Sequence, residues 1–579
     1  MRKTGASLTV YALEQIGVRY TFGMPGVHNV ELYDALAQSE QITPILVTHE
    51  GGGAFMADAV SRTSSQIGTL VIVPAAGTAN AMPGIGEAFL DGIPMLILSG
   101  GIRRDIVKHY QLHGVDQARW LDGIIKRYYL ITSHEAIVPT IYEAYETAIS
   151  GEPGPVFVEI PAEIQLFEGE IEVLLPYVPS LPPPPRPSDE ELEAALDILL
   201  EAEKPGIYVG WGAVDAAAFT AELADRLVAP VSTTLQGLSA FPANHPLHTG
   251  VGFGPASVPA AQKAFRGCDA LLAVGVRFSE LATGSYGLPV PENLVHVDIN
   301  REVFNKNYPA RVALWGDATE VLSRMVQLLE DRNYTSPRSH QALATLIQEE
   351  KQRYLQQWLR EKQTEKVSPG WFFHYLRKYL DEDAIVAVDD GKHTFLTAEL
   401  MPIYQPRGFI SPSDFNCMGY CVPAAIGAKR VNPHRQVVGI VGDGAFLMSG
   451  LELLTATDQQ LGVVIFVFHD GELGQISHFQ KIVLNRKACT VLPPFDVAGI
   501  AQGVGAHFLA LRHDGEVESV IIKALELAQA GKPVLVDVHI DYSQRTFLTK
   551  GVVKVNLRRF PRREQARFLF RALKRHILG

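Results

Sequence analysis

Two carboxylates at the ends of two strand-forming runs carry the strongest chemical signal in the chain. Asp443 stands in Gly442-Asp443-Gly444 after the apolar run Val437 to Val441, and Asp470 follows the β-branched run Val463 to Phe468. From Phe446 to about Gln460, the residues Leu447, Leu451, Leu454 and Ala456 fall at helical spacing, so the segment reads as strand, helix, strand. A helix of roughly 14 residues travels about 21 Å back, and a strand of about seven residues returns about 23 Å. The two carboxylates are therefore expected side by side at the carboxyl edge of one parallel sheet, where ligands of open α/β folds bind. A glycine-rich turn that opens a helix also presents free N–H groups and a positive dipole end to phosphate oxygens. Carboxylates beside such a cradle require a hard cation, and Mg²⁺ fits best because it takes oxygen ligands shared between carboxylates and phosphates. Asp443 and Asp470 are the expected side-chain ligands, with the Glu472 backbone carbonyl as the third. Taken alone, Gly-Asp-Gly is more often an ordinary turn; its strand-helix-strand setting and the second carboxylate favour the metal site.

The elements that must position these residues recur along the chain. With 579 residues, 47% of them hydrophobic, and a mean hydropathy of +0.08, the protein is globular and long enough for about three or four domains. Residues 1–170 alternate helical and strand patterns, with Ala6 to Ile16 helical and strands at Tyr20 to Phe22, Ile45 to Val47, Leu70 to Val73, Met95 to Leu98 and Val156 to Glu159. A linker at 171–189 is dense in proline from residue 175 onward, which gives an extended, semi-rigid spacer. A second α/β domain spans 190–335 and a charged helical linker 336–368. A third α/β domain, 369–540, contains the opening motif, and a basic tail covers 541–579. The fold class expected is three successive parallel-sheet α/β domains, suggestive of an ancient duplication.

A formal net charge of −12 gives nucleic-acid binding no global electrostatic support. Cys268, Cys417, Cys421 and Cys489 show no metal spacing and read as reduced core thiols. Met1 to Val10 lacks a secretory apolar region, and no apolar span of about 18 residues occurs. The expectation is a soluble cytoplasmic protein with no integral membrane segment.

Gly-Asp-Gly followed by a helix, a strand and a polar ligand resembles the diphosphate-binding motif of thiamine-diphosphate enzymes. His469-Asp470 stands where most of that family has Asn-Asn, a departure that also occurs in catabolic acetolactate synthases. FGMPGVHNVELYDAL, VTHEGGGAFMADAVSR, AFLDGIPMLILSG and MGYCVPAAIGAK are similar to family segments in the correct order, so the resemblance covers about residues 4–540. It implies pyrimidine-binding, central and diphosphate-binding domains, with thiamine diphosphate and Mg²⁺ as cofactors. The implied activity is acetolactate synthase-like: decarboxylation of a 2-oxo acid, pyruvate by default, with carboligation to a second carbonyl compound. The alternative is non-oxidative decarboxylation or another carboligation. A non-catalytic binding protein on the same fold would have lost the key carboxylates, and Glu50, Asp443 and Asp470 are all present.

By the same resemblance, Glu50 is the carboxylate that hydrogen-bonds the cofactor's pyrimidine nitrogen and helps create its base. Met418 wedges the cofactor into its bent shape. Gly391 to Thr394, including His393, hold the far side of the diphosphate, and Gly442, Gly444, Ala445 and Phe446 line its near side. Because Glu50 and the metal motif lie on different domains, the family's arrangement implies one cofactor bridging two subunits, hence a homodimer at least and commonly a homotetramer. Substrate contacts are expected among Val27, His28, Asn80, His113, Gln475 and Phe479. Val27 replaces the Asp of pyruvate-decarboxylase types, His113 a pocket Gln, Gln475 a Met and Phe479 a Trp. VGVRFSELATG resembles the family's flavin-contact segment, but Ser279, Glu280 and Leu281 depart from its pattern, so FAD is left open, with its absence favoured.

The tail carries eleven Lys and Arg against Asp541 and Glu564, a net +9 that leaves −21 for the rest of the chain. A helix is expected from Pro561, with Ala566, Phe570, Leu573 and Ile577 on one stripe. Docking onto the acidic body or a neighbouring subunit near the active-site mouth is the favoured reading over a membrane surface.

Overall fold

The β-branched runs become the central strands of three six-stranded sheets, each parallel throughout. Such strands are covered by helices on both faces, which is why Gly68–Ile72, Met95–Gly101 and Pro155–Pro161 are buried along their whole length. The structure, a computed structural model, describes residues 1–578.

In the first sheet the strands lie in the order Thr43–Leu46, Tyr20–Gly23, Gly68–Ile72, Met95–Gly101, Pro155–Pro161, Arg127–Leu130. The third sheet runs Phe409–Ile410, Ile385–Val388, Val437–Gly442, Val464–Phe468, Val534–Val538, His507–Leu511. Numbered within each domain, both follow the order 2-1-3-4-6-5. The central sheet, from His248–Val251 through Val231–Thr233, Pro205–Val209, Ala270–Val274 and Asn293–Asp298 to Val312–Trp315, follows 3-2-1-4-5-6 instead. A duplication thus relates to the outer two domains more directly than to the middle one. Residues 173–188 carry no regular structure and helix His340–Trp358 occupies the second linker.

The first and third domains are locked together by helix Glu50–Thr63 packing along helix Cys421–Val431. The two backbones approach so closely that a Cβ on Gly427 would stand 2.3 Å from the Met56 carbonyl oxygen. Beside this contact Arg62 is fully buried and pairs with Asp58 at 2.7 Å and Asp91 at 2.9 Å. Tyr420 Oη donates to Asp58 and Ser413 Oγ to Asp91, both from the third domain.

Several expectations are corrected. The helix expected from Phe446 to Gln460 is broken into Asp443–Ser449, a 3₁₀ turn at Gly450–Glu452, and Leu453–Asp458. Its presumed core stripe does not face the sheet: Leu447, Leu451 and Leu454 are exposed, together with Met448, while Ala445, Phe446, Leu453 and Ala456 are buried. Cys489 is exposed rather than a core thiol, and all four cysteines are free. The edge strand Arg127–Leu130 escaped the sequence reading because it alternates in burial and starts with a charge. The tail forms two helices, Phe547–Arg559 and Arg562–Leu578. The second lies on helix Gly474–Leu484, held by Arg575 Nη1 to the Val483 carbonyl and Asn485 Nδ2 to the Arg575 carbonyl, both 3.1 Å. Its stripe Ala566, Phe570, Leu573 and Ile577 is exposed. Among the described residues no helix is long and apolar enough to cross a membrane.

Burial of neutral imidazoles makes the fold acid-sensitive. His296, between Phe278 and Phe304 with a ring nitrogen 2.9 Å from the Val276 carbonyl, has its pKa lowered to about 4 by desolvation. Between that value and the ordinary one near 6.5, the unfolded chain binds a proton that the folded chain refuses, so stability falls as pH falls. Going from pH 6.5 to 5 is expected to cost about 2 kcal/mol from this residue. Urea denaturation at the two pH values should show a smaller drop in His296→Phe than in the wild type; an equal drop would acquit His296.

Candidate active site

The order 2-1-3 in the third sheet reverses between Ile385–Val388 and Val437–Gly442, and a crevice opens at that point, beyond the carboxyl ends of the strands. The segments leaving these two strands, Asp390 to His393 and Gly442 to Ala445, line one cavity. Its remaining walls come from Met418, Phe468, Asp470, Glu472 to Ile476 and Tyr542. The sequence-predicted residues Gly391, His393, Met418, Gly442, Asp443, Gly444, Ala445, Asp470, Glu472 and Gln475 all meet here.

Gly391 sits at φ +153°, and a Cβ there would stand 2.6 Å from His393. Thr394 Oγ1 accepts from the Gly391 N–H and donates to the Asp389 carbonyl, so Thr394 shapes the loop from beneath. His393 is buried, its pKa lowered to about 3 by desolvation, and its Nε2 has no partner. A Cβ on Gly442 would lie 3.1 Å from that ring and one on Gly444 2.5 Å from the tip of Leu473, so a side chain at either position would press on the cavity lining. Asp389 was missed by the sequence reading, although it places Met418. Its buried carboxyl, pushed up to about 7 by desolvation, accepts from the N–H groups of Gly419 and Cys421 at 2.9 and 2.8 Å.

Asp443 Oδ1 accepts from Gly444 N at 2.8 Å, and Oδ2 from Gly471 N at 2.6 Å and Asp470 N at 3.2 Å. The two acids predicted to meet do meet. Burial and the neighbouring Asp470 raise Asp443 to about 6, and burial raises Asp470. Lys392 Nζ, 3.3 Å from Asp470 Oδ2, supplies the balancing positive charge, standing where a cation would neutralise the pair. The Glu472 side chain is engaged by Lys487 and Ser477. Among the described residues no three His, Cys, Asp or Glu side chains gather to hold a metal. The donor set nevertheless suits Mg²⁺, since two carboxylates and a carbonyl leave octahedral positions for diphosphate oxygens and water. The unpartnered His393 nitrogen and the N-terminus of the helix that Asp443 opens suit the diphosphate itself.

The first sheet has its own reversal between Tyr20–Gly23 and Gly68–Ile72, and the second set of residues gathers there. Glu50 opens helix Glu50–Thr63 and is buried. Asn80 Nδ2 donates to its Oε2 at 3.0 Å. A Cβ on Gly77 would stand 3.2 Å from its Oε1, so the turn bearing Gly77 must stay bare. That turn includes Ala75 at φ +57°, a conformation glycine would adopt more cheaply. It is pinned by Gln117, which the sequence reading left unassigned: its Oε1 accepts from Ala75 N and Thr78 Oγ1, and its Nε2 donates to Glu159. His28 and His113 come together, Nδ1 to Nδ1 3.3 Å, with His113 at φ +65°. Val27 is exposed, and Phe479 is half-buried outside the cavity around Asp443.

No residue of the first domain lines that cavity. Between the two sets stands Glu452, another residue not anticipated. Its Oε1 accepts from Thr48 N at 2.7 Å, His49 N at 2.9 Å and the Thr48 hydroxyl, immediately before Glu50.

With this geometry in view, the comparisons agree. The thiamine pyrophosphate enzyme N-terminal TPP binding domain matches residues 3–120, the central domain 192–325, and the C-terminal TPP binding domain 389–538. The chain is 30% identical over 561 residues to the acetolactate synthase isozyme 3 large subunit of Escherichia coli, covering 94% of this chain and 96% of that one. It is 30% identical over 551 residues to the isozyme 1 large subunit of the same organism, covering 94% and 95%. It is likewise 30% identical over 563 residues to the probable acetolactate synthase large subunit of Methanocaldococcus jannaschii, covering 93% and 92%. Three matched domains in this order make a thiamine-diphosphate-dependent enzyme. Within that class the chain belongs to the acetolactate-synthase-like large-subunit family of 2-oxo-acid decarboxylases and carboligases.

Replacing Glu452 by Ala strands two backbone N–H groups that position Glu50. The expected cost is about 2–3 kcal/mol of stability, with a loss of turnover that exceeds any loss of thiamine diphosphate affinity. Chemical denaturation and steady-state kinetics check both, and unaltered kinetics would remove Glu452 from the positioning of Glu50.

Proposed function

We propose that the protein decarboxylates a 2-oxo acid, pyruvate by default, and joins the resulting fragment to a second carbonyl compound, as an acetolactate synthase does. The observation that carries this reading is the buried Asp443, raised by burial and by the half-buried Asp470 beside it, next to the unpartnered His393 at the sheet reversal. Bound thiamine diphosphate supplies a carbanion equivalent and an electron sink. Asp443, Asp470 and the Glu472 carbonyl hold Mg²⁺; His393 and the N–H groups of Ala445 and Phe446 take diphosphate oxygens. Met418 forms the wedge. Glu50 shares a proton with the pyrimidine N1′, and Asn80 holds the Glu50 carboxylate in place. His28, His113, Gln475 and Phe479 are the candidates to select the substrate; Gln475 brings a buried, unpartnered side-chain oxygen. The reaction is redox-neutral and asks nothing of a flavin, in keeping with the departures at Ser279, Glu280 and Leu281.

The same reading makes the working unit at least a homodimer, with Glu50 of one copy facing the Asp443 cavity of another. Two features support it: the absence of first-domain residues from that cavity, and the exposed apolar ridge of Leu447, Met448, Leu451 and Leu454 directly after Asp443. The tail helix Arg562–Leu578 is held at Ile482, Val483 and Asn485, the C-terminal end of the element that carries Gln475 and Phe479.

Incubation with pyruvate, thiamine diphosphate and Mg²⁺ should yield acetolactate and CO₂; acetaldehyde and CO₂ without acetolactate would instead make the protein a simple decarboxylase. Glu50→Gln should retain cofactor binding while turnover falls by roughly 10²–10⁴-fold. Asp443→Ala should weaken Mg²⁺-dependent thiamine diphosphate binding by about 1.5–3 kcal/mol, a factor of roughly 10 to 150. Calorimetric titration separates the two variants, and an undiminished affinity in Asp443→Ala would exclude it as a ligand.

A further inference from the structure

Among the described residues that line the cavity around Asp443, Lys392 is the one lysine or arginine, and it shares the cavity with Asp390, Asp443, Asp470 and Glu472. The Glu472 carboxylate is paired with Lys487. A diphosphate entering this space adds further negative charge. The carboxylates of Asp443 and Asp470 already match the charge of one Mg²⁺, so the phosphates must draw on other positive charge that the chain provides. The cavity offers two sources: the N-terminus of the helix that Asp443 opens, and Lys392.

Three features hold the Lys392 ammonium at this spot. Asp470 Oδ2 stands 3.3 Å from Nζ. The Tyr542 ring, from the segment that follows strand Val534–Val538, has its centroid 4.7 Å from Nζ, a cation–π contact. Burial, with Asp470 and Asp443 nearby, keeps the Tyr542 hydroxyl protonated, so the ring is a neutral support. Gly474 leaves the room: a Cβ there would stand 2.7 Å from Nζ and 2.8 Å from Asp470 Oδ2. Lys392 is also the first residue of helix Lys392–Leu400, where the helix dipole disfavours a cation. Helix stability therefore gives no reason for a lysine at this position, whereas the acidic cavity does. Its hydrogen bond falls on Oδ2, so Asp470 can hold the ammonium and a metal ion through different oxygens.

We propose that Lys392 is a resident cation of the cofactor site, sharing Asp470 with Mg²⁺ and carrying part of the attraction for the diphosphate, so that thiamine diphosphate binding depends less steeply on the metal. This rests on the reading of the cavity as a thiamine diphosphate site. A lysine that merely ties its loop to Asp470 would strengthen cofactor binding equally with and without the metal.

Titration calorimetry with thiamine diphosphate, in saturating Mg²⁺ and again in EDTA, separates these roles in the wild type, Lys392→Met and Lys392→Gln, with circular dichroism to show that each variant is folded. The factor by which EDTA weakens the cofactor is expected to be at least about tenfold larger in both variants than in the wild type. Binding of Mn²⁺ without the cofactor, followed by electron paramagnetic resonance, is expected to tighten in both variants, because the competing charge at Asp470 is gone. An equal EDTA factor in wild type and variants, Mn²⁺ binding that is no tighter, or no cofactor binding to the wild type in EDTA would overturn the proposal and leave the cofactor site standing. No binding to the wild type even in Mg²⁺ would overturn the cofactor reading, and the role of Lys392 with it.

Discussion

The fully buried Arg62, held between Asp58 and Asp91 and joined by Tyr420 and Ser413, is the constraint on which the rest depends. Removing one partner from such a network strands a charge and costs about 3–5 kcal/mol; the three charges sit in the first domain, and sliding of the third domain past it would break the Tyr420 and Ser413 hydrogen bonds to them. Gly427 reinforces the lock by letting two helix backbones meet. One consequence is architectural: within a chain the two sheet reversals are fixed in relation to each other, with Glu50 at one and Asp443 at the other. The clasp from Glu452 to Thr48 and His49 passes between the two sets of site residues, as does the bond from the Cys417 N–H, next to Met418, to Glu87.

A second consequence is electrostatic. The third-domain crevice concentrates acids that burial holds partly protonated, with Asp389 raised to about 7 and Asp390 and Asp443 to about 6. Asp389 spends its acceptors on backbone N–H groups and thereby builds the loop that presents Met418. Asp443 spends three of its contacts the same way and keeps its charge for a cation. The same kind of residue thus shapes a loop at one strand end and, at the next, stands against a second acid from the neighbouring strand, Asp470.

Local pattern carried much of this into the sequence. Strands buried on both faces write themselves as apolar runs, and the strand-helix-strand arithmetic brought Asp443 and Asp470 together correctly. Pattern failed where burial is decided by something outside the local segment. Leu447, Leu451 and Leu454 have helical spacing, yet they face away from their own sheet. Gln117 and Glu452 act through partners far away in sequence, Ala75 and Thr78 in one case and Thr48 and His49 in the other, which no spacing rule encodes. Lys392 was hidden inside a segment read for its glycine and threonine, and its role appears only once Asp470 is seen beside it.

The account turns on a catalytic centre shared between copies of the chain, and subunit complementation measures that directly. Glu50→Gln and Asp443→Ala proteins, each inactive alone, are unfolded, mixed in equal amounts and reassembled with thiamine diphosphate and Mg²⁺. In a mixed dimer one centre combines the intact Glu50 of one chain with the intact Asp443 of the other, so acetolactate-forming activity should return to roughly a quarter of the wild-type value. Activity that stays at the level of the separate variants, in a mixture proven to contain mixed dimers, would contradict it and place both carboxylates in the service of one chain.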